Sequence, residues 1–318
     1  MVSADRTGLP DPLQLIELPT APDGVTWRIL RGHAQRLLVA AGVPAPESEA
    51  RWVVEEASGW EGSDHFARLD ELAPTAGVAS FQQMVSRRCS GEPLQYVLGH
   101  WSFRRLDLAV DRRVLIPRPE TEVVAGIAIE ELVRGRSAHL DGSPSVVVDL
   151  GAGSGAIGLS VAVEGPPGTQ VWLTDVSVPA LAVARANLAG IGRAGVNVFI
   201  AEGAWFDALP NELAGMIDVV VSNPPYVADH ETLPDEVAEF EPSLALRSGP
   251  TGLECYSELA ASARHWLRPD GALVVEIAPH QVDDVCRLLR AGIGDARIDW
   301  GTDLAGRSRW VRAQRQQA

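Results

Sequence analysis

The sequence predicts an α/β protein, a parallel sheet wrapped by helices, with a small all-helical domain in front of it. Short apolar runs at 145–150, 170–175, 196–201, 217–222 and 271–277 alternate with helical patterning, the signature of a parallel sheet. Before residue 90 the apolar residues keep a helical period instead. At 318 residues the chain exceeds one typical domain and has ample length for two cores.

Residues 1–26 are rich in proline and lack periodicity, so they read as a loosely packed leader. From 27 to 90, Ile29, Leu30, Leu37 and Leu38, then Trp52, Val53 and Val54, then Phe81, Met84 and Val85 recur at helical spacing. Turns at Gly42-Val43-Pro44 and Leu72-Ala73-Pro74 separate the helices. Residues 91–119 turn towards extended patterning, with Gln95–Leu98, Trp101–Phe103 and Leu106–Leu108 expected to form a hairpin that links the domains. Residues 120–318 carry the sheet, closed by two further strands near 296–300 and 308–313 that can pair as a hairpin.

The formal charge is −15, and all 27 basic residues are arginine. So acidic a chain is poorly suited to a phosphate backbone, and the lack of lysine excludes Schiff-base chemistry. Cys89, Cys255 and Cys286 lie far apart, with no CxxC pair and no histidine at metal-ligand spacing, so no metal is expected. The chain shows neither a basic stretch followed by an apolar run at its start nor an apolar segment of bilayer length, which suggests a cytoplasmic protein.

The buried run Val146–Leu150 leads straight into Gly151-Ala152-Gly153-Ser154-Gly155. Glycines let a ligand approach the backbone, and a helix starting near Ala156 offers free N–H groups. Asp175 ends the next strand and can accept hydrogen bonds from both hydroxyls of a ribose. Asp149 either joins the ligand site or only fixes the glycine loop. NAD would fit such a constellation, but GxGxG with an acidic residue at the end of the next strand is the pattern more typical of S-adenosylmethionine sites.

Asn223-Pro224-Pro225-Tyr226 follows the apolar run 217–222. Two prolines fix φ and remove two donors, leaving carbonyls and the Asn223 carboxamide as acceptors. An NH₂ group would fit there, held by the Asn oxygen and a proline carbonyl, with Tyr226 against its flat face. The plain alternative is a Pro-Pro turn that closes a strand.

With the glycine loop, Asp175 and NPPY in this order, the chain resembles a Rossmann-like class I S-adenosylmethionine-dependent methyltransferase. Gly91–Gly99 (GEPLQYVLG), Leu115–Glu122 (LIPRPETE) and Phe240–Leu246 (FEPSLAL), followed by Gly252-Leu253 and Tyr256, are similar to the release-factor glutamine N5-methyltransferases of the HemK/PrmC family. The resemblance spans about residues 28–313. It implies a helical domain that recognises a protein substrate and a catalytic domain that methylates the glutamine of a GGQ loop. By motif position it assigns Asn223 and Pro224 to the acceptor amide, with Tyr226 packed on it. It puts Phe103, Pro225 and Glu120 on the substrate side, Phe103 helping to line the pocket and Glu120 in the PRPETE loop, Arg118 to Glu122, that helps close the site beside the cofactor. Gly151, Gly153, Gly155, Asp149, Asp175, Asn223 and Trp205 would hold the cofactor, Trp205 by packing on adenine. One departure is Ala204, where the family usually carries an acidic residue that meets the adenine amine; Glu202 is the nearest substitute.

An amide nitrogen is a weak nucleophile, so alignment and local electrostatics must supply the acceleration, and no strong base is required. The expected partner is a peptide chain release factor; the alternative is a HemK-like enzyme acting on a small-molecule acceptor in secondary metabolism. An adenine-N6 DNA methyltransferase uses the same turn, but a charge of −15 argues against nucleic acid. A non-catalytic protein that kept the fold would bind cofactor and transfer nothing.

Overall fold

A computed structural model of the protein describes residues 24–135 and 142–316. Most of the expected leader lies outside the described residues. The chain divides into two compact units, one ending at Gly99 and the other beginning at His100.

The first unit is helical: α1 (Trp27–Ala40), α2 (Pro46–Ser58), α3 (Gly62–Ala67), α4 (Thr75–Cys89) and α5 (Leu94–Leu98). Thr26 caps α1 by accepting from the Ile29 N–H, Pro46 opens α2 where no donor is needed, and Gly59 ends it at a left-handed φ of 70°. The helical stripes meet in one core of Trp27, Leu30, Leu38, Val53, Val54, Phe81 and Val85. Gly77 lets α4 approach Trp27, since a Cβ there would lie 2.7 Å from the indole. Gln95–Leu98, expected to be extended, is the helix α5. Its Leu94, Tyr96 and Val97 are buried, and Gly99 closes it with φ 84°. Tertiary burial on both sides of this short apolar run overrode its strand-like composition.

The second unit opens with a hairpin, β1 (His100–Phe103) and β2 (Leu106–Ala109), followed by α6 (Pro119–Gly135). The sheet then comprises β3 (Val146–Leu150), β4 (Gln170–Asp175), β5 (Val198–Glu202), β6 (Ile217–Ser222), β7 (Leu267–Glu276), β8 (Ala296–Thr302) and β9 (Ser308–Arg315). Between them run α7 (Ala156–Glu164), α8 (Val178–Gly190), α9 (Asp235–Phe240), α10 (Glu254–Trp266) and α11 (Val282–Ile293). The order is β5-β4-β3-β6-β7-β9-β8, parallel except for β9, which runs antiparallel to both of its neighbours. This is the mixed seven-stranded Rossmann-like sheet of class I methyltransferases, with the C-terminal hairpin folded in so that β9 lies beside β7.

Every residue of β3 is buried because helices cover both faces. Val146, Val148 and Leu150 join the core beneath α10 and α11. By the period of two, Asp149 faces the opposite side, where its Oδ2 accepts from the Gly158 N–H of α7 at 2.8 Å. The chain leaves β3 towards β4 on one side and returns to β6 on the other. This reversal opens a crevice at the carboxyl ends of β3 and β6, where open sheets bind ligands.

Candidate active site

Register brings the motifs together. Leu150 pairs with Thr174 and Asp149 with Val221, so Gly151 and Asn223 emerge next to each other at adjacent strand ends. The Ser222 hydroxyl locks those ends by donating to the Leu150 carbonyl at 2.7 Å. A cavity of about 310 Å³ opens over them, walled by Gly151, Gly153, Asp149, Asp175, Trp205, Asn223 and Pro225 among others.

The glycines have separate tasks. Gly151, Gly153 and Gly155 all have positive φ, at 71°, 56° and 83°. The Trp205 ring edge lies 3.5 Å from where a Gly151 Cβ would stand. Gly155 does not reach the cavity wall; its N–H closes the loop on the Ala152 carbonyl at 2.7 Å and it starts α7. Further along, Gly158 permits tight packing of helix on sheet, since a Cβ would fall 2.1 Å from Leu173 Cδ2.

Asp175 accepts from the Gly153 N–H at 2.9 Å and the Ser177 N–H at 2.8 Å, which fixes its carboxylate under the loop. Burial raises its pKa against those hydrogen bonds. Asp149 is fully enclosed, and burial, with Asp175 nearby, pushes it up to about 7. Its Oδ1 has no hydrogen-bond partner. A buried carboxyl with an unpartnered oxygen, beside a half-buried one, fits a cationic nucleoside and would repel a pyrophosphate. Two arginines also line the wall. Arg113 is held by Asp111, and Arg247 donates to the carbonyls of Ala228, Asp229 and Glu231. These residues therefore suit S-adenosylmethionine.

Trp205 takes a left-handed φ of 46°, and its indole Nε1 donates to Glu258 Oε2 at 2.6 Å, which sets the ring on the cavity wall. Glu202 is exposed and off the wall, so it does not replace the acid missing at Ala204.

At the NPPY turn, Asn223 and Pro225 reach the cavity. Pro224 is buried, and no donor among the described residues reaches its carbonyl. The Tyr226 carbonyl is held by Gln281 Nε2 at 3.0 Å, which also ties Gly252 at 3.2 Å. Burial, with Glu276 nearby, pushes the Tyr226 phenol up to about 12, so it stays neutral and serves as a packing surface. The PRPETE and FEPSLAL segments meet through an ion pair between half-buried Arg118 and buried Glu241, and Glu241 also accepts from the Ile116 N–H.

Two expected substrate-side residues lie elsewhere. Phe103 is 1% exposed on the buried face of the β1–β2 hairpin and does not line the cavity. Glu120 is off the wall as well, drawn to Arg307 at 3.1 Å and Arg309 at 3.8 Å. Sequence reasoning missed Thr121, Asn187, Glu276 and Gln281. Asn187 joins the glycine loop to the hairpin, donating to the Ser154 and Ala109 carbonyls. Glu276 had a signal: it is a lone acid at the carboxyl end of the apolar run 271–277.

The sheet order, the glycine loop braced by two carboxyls and the proline-braced turn define a class I S-adenosylmethionine-dependent methyltransferase. Residues 30–99 match the PrmC N-terminal domain, and residues 137–241 the methyltransferase small domain. The chain is 38% identical over 291 residues to a release factor glutamine methyltransferase of Bifidobacterium longum, covering 88% of this chain and 96% of that one. It is 38% identical to one of Moorella thermoacetica (92% and 100% covered), and 36% identical to one of Deinococcus radiodurans (91% and 98% covered). The chain belongs to the release factor glutamine methyltransferase family.

Proposed function

We propose that the protein methylates the side-chain amide nitrogen of the glutamine in the GGQ loop of a peptide chain release factor. The observation that carries this reading is the turn at the end of β6: Asn223 and Pro225 on the wall of the same cavity as the glycine loop and Asp175, with acceptors and no proline N–H. Asn223 Oδ1 and the Pro224 carbonyl take the two hydrogens of the acceptor amide, which raises electron density on its nitrogen and fixes its direction. S-adenosylmethionine, when bound, supplies an electrophilic methyl group. Gly151, Gly153, Asp149, Asp175 and Trp205 hold it, and Tyr226 packs beneath the turn. The methylated amide is acidic enough to lose its proton without a base from the protein. The two buried carboxyls pushed up to about 7, Asp149 and Glu276, serve binding and orientation.

The names of the relatives support a release factor as acceptor, and the 27–90 helical region is the proposed recognition domain. The cavity itself reads only an NH₂ group, so a small-molecule acceptor is the competing outcome. The charge of −15 supports a protein partner over nucleic acid. Among the described residues no helix is long and apolar enough to cross a membrane. A translation factor as acceptor supports a cytoplasmic protein. The test is incubation with labelled S-adenosylmethionine and purified release factor carrying GGQ or GGA. Label on GGQ alone is expected; equal label on both, or none on either, refutes the assignment.

A further inference from the structure

Asn223 can hold an NH₂ group only if its carboxamide oxygen, and not its nitrogen, faces the acceptor. Asn223 Nδ2 lies 3.3 Å from Thr121 Oγ1, in the first turn of α6. Thr121 Oγ1 in turn lies 2.7 Å from Glu276 Oε2, at the end of β7. Strand pairing creates this meeting. Ser222 is opposite Val275, so the next residues, Asn223 and Glu276, leave the sheet side by side. A hydroxyl has a single proton. When Glu276 is ionised, that proton goes to the carboxylate, Thr121 can only accept from Asn223 Nδ2, and Oδ1 is left for the cavity.

We propose that Glu276 and Thr121 are positioning residues that set the direction of the Asn223 carboxamide, and with it the polarity of the acceptor site. This rests on the reading that Asn223 holds the acceptor amide. A protonated Glu276 would donate to Thr121, the threonine proton would turn to Asn223 Oδ1, and the carboxamide would present its own NH₂ to the incoming NH₂. Glu276 is 1% exposed, and a hydrophobic residue in a buried strand would cost less. A carboxyl placed among Val274, Val275 and Ile277 is what a polarity-setting role requires. The groups facing it are Arg309 from β9, Arg118 and Glu120 at the start of α6, Tyr226 from the NPPY turn, and Tyr256 of α10, whose hydroxyl donates to the Glu276 carbonyl. Burial outweighs the two arginines and pushes Glu276 up to about 7, so the relay reverses within an accessible pH range.

The experiment is a double-mutant cycle of Thr121→Val and Asn223→Ala, with Thr121→Ser as the conservative control. It uses the full-length enzyme, saturating S-adenosylmethionine and purified release factor across pH 6–9. Thr121→Val should lower kcat by about 10-fold or more while leaving S-adenosylmethionine affinity within about threefold, since second-shell partners commonly contribute 10- to 100-fold. Thr121→Ser should restore kcat, and the wild-type rise of kcat through about pH 7 should flatten in Thr121→Val. In the Asn223→Ala background, Thr121→Val should cost nothing further. Full additivity in that background, or unchanged kcat in Thr121→Val, overturns the relay while the assignment of Asn223 stands. Unchanged kcat in Asn223→Ala itself overturns the underlying reading, and the relay with it. Melting curves for each variant separate these outcomes from misfolding.

Discussion

Truncating Asp175 to alanine separates the cofactor half of the site from the acceptor half. The Asp175 carboxylate is held by the Gly153 and Ser177 N–H groups, at 2.9 and 2.8 Å, and each oxygen keeps a lone pair for a ligand hydroxyl. Hydrogen bonds to a charged group contribute about 1.5–3 kcal/mol each, so two ribose hydroxyls gain about 3–6 kcal/mol. Water can rehydrate hydroxyls freed in a truncated site, so the lower end applies: about 3 kcal/mol, or about 100-fold in Kd. Calorimetric titration with S-adenosylmethionine and S-adenosylhomocysteine should show both weakened to this degree, because the ribose is common to them. At saturating donor, kcat should fall by less than about tenfold, since Asp175 lies across the cavity floor from the NPPY turn. A Kd within about threefold of wild type would remove Asp175 from the ribose site, and with it the assignment of this crevice to the nucleoside.

Asn223→Ala should reverse that pattern, lowering kcat by about 10²–10³ in single-turnover transfer to the release factor, with donor affinity in calorimetry unchanged; equal losses in both would refute its acceptor role. Gly158→Ala puts a methyl 2.1 Å from Leu173 Cδ2, which is fully buried and cannot retreat, so urea unfolding should show a loss of about 1–3 kcal/mol; an unchanged midpoint would refute the close packing of α7 on β4. Asp149 has a folded-state pKa of about 7 against a reference of 3.8, so the folded protein keeps a proton that the unfolded chain has lost. The stability this contributes is fully present below the unfolded value and disappears as pH rises through about 7. Asp149→Asn carries no such proton, so the melting temperature of the ligand-free variant should fall less than that of wild type between about pH 4 and 7. Parallel curves would refute the buried, raised carboxyl.

The strands most sharply legible in the sequence were those with a continuous apolar run closed by a polar residue. The run 217–222 forms β6 with those bounds, and 170–175 forms β4, because apolar runs ending at Asp175 and Asn223 leave no freedom to slide. β7 begins earlier than its apolar run, at Leu267, because a pairing irregularity between Ile217 and Val219 admits Arg268–Asp270, with Asp270 at φ 66°. Gln95–Leu98 misled because four residues are too few to separate a helical from an extended period. Among the residues that line the cavity, Gly151, Gly153, Asp175, Asn223 and Trp205 stood out in the sequence because each sits at a strand end or turn of distinctive composition. The places of Phe103 and Glu120 were not legible. Phe103 is turned onto the hairpin's buried face, and Glu120 is drawn to Arg307 and Arg309, which lie far along the chain.

Order along the chain was sufficient for the class of chemistry. Glycines after one strand, an acid after the next and prolines after the fourth are local features, each imposing its own backbone geometry wherever it occurs. Tertiary structure alone decided which side chains control them. Thr121 and Gln281 lie 102 and 55 residues from the turn atoms they meet, and Glu276 lies 155 residues from Thr121, so only strand register and helix packing bring them within hydrogen-bonding distance. A hydrogen bond is effective over about 3 Å whatever the separation in sequence, so its direction belongs to the fold and not to the motif.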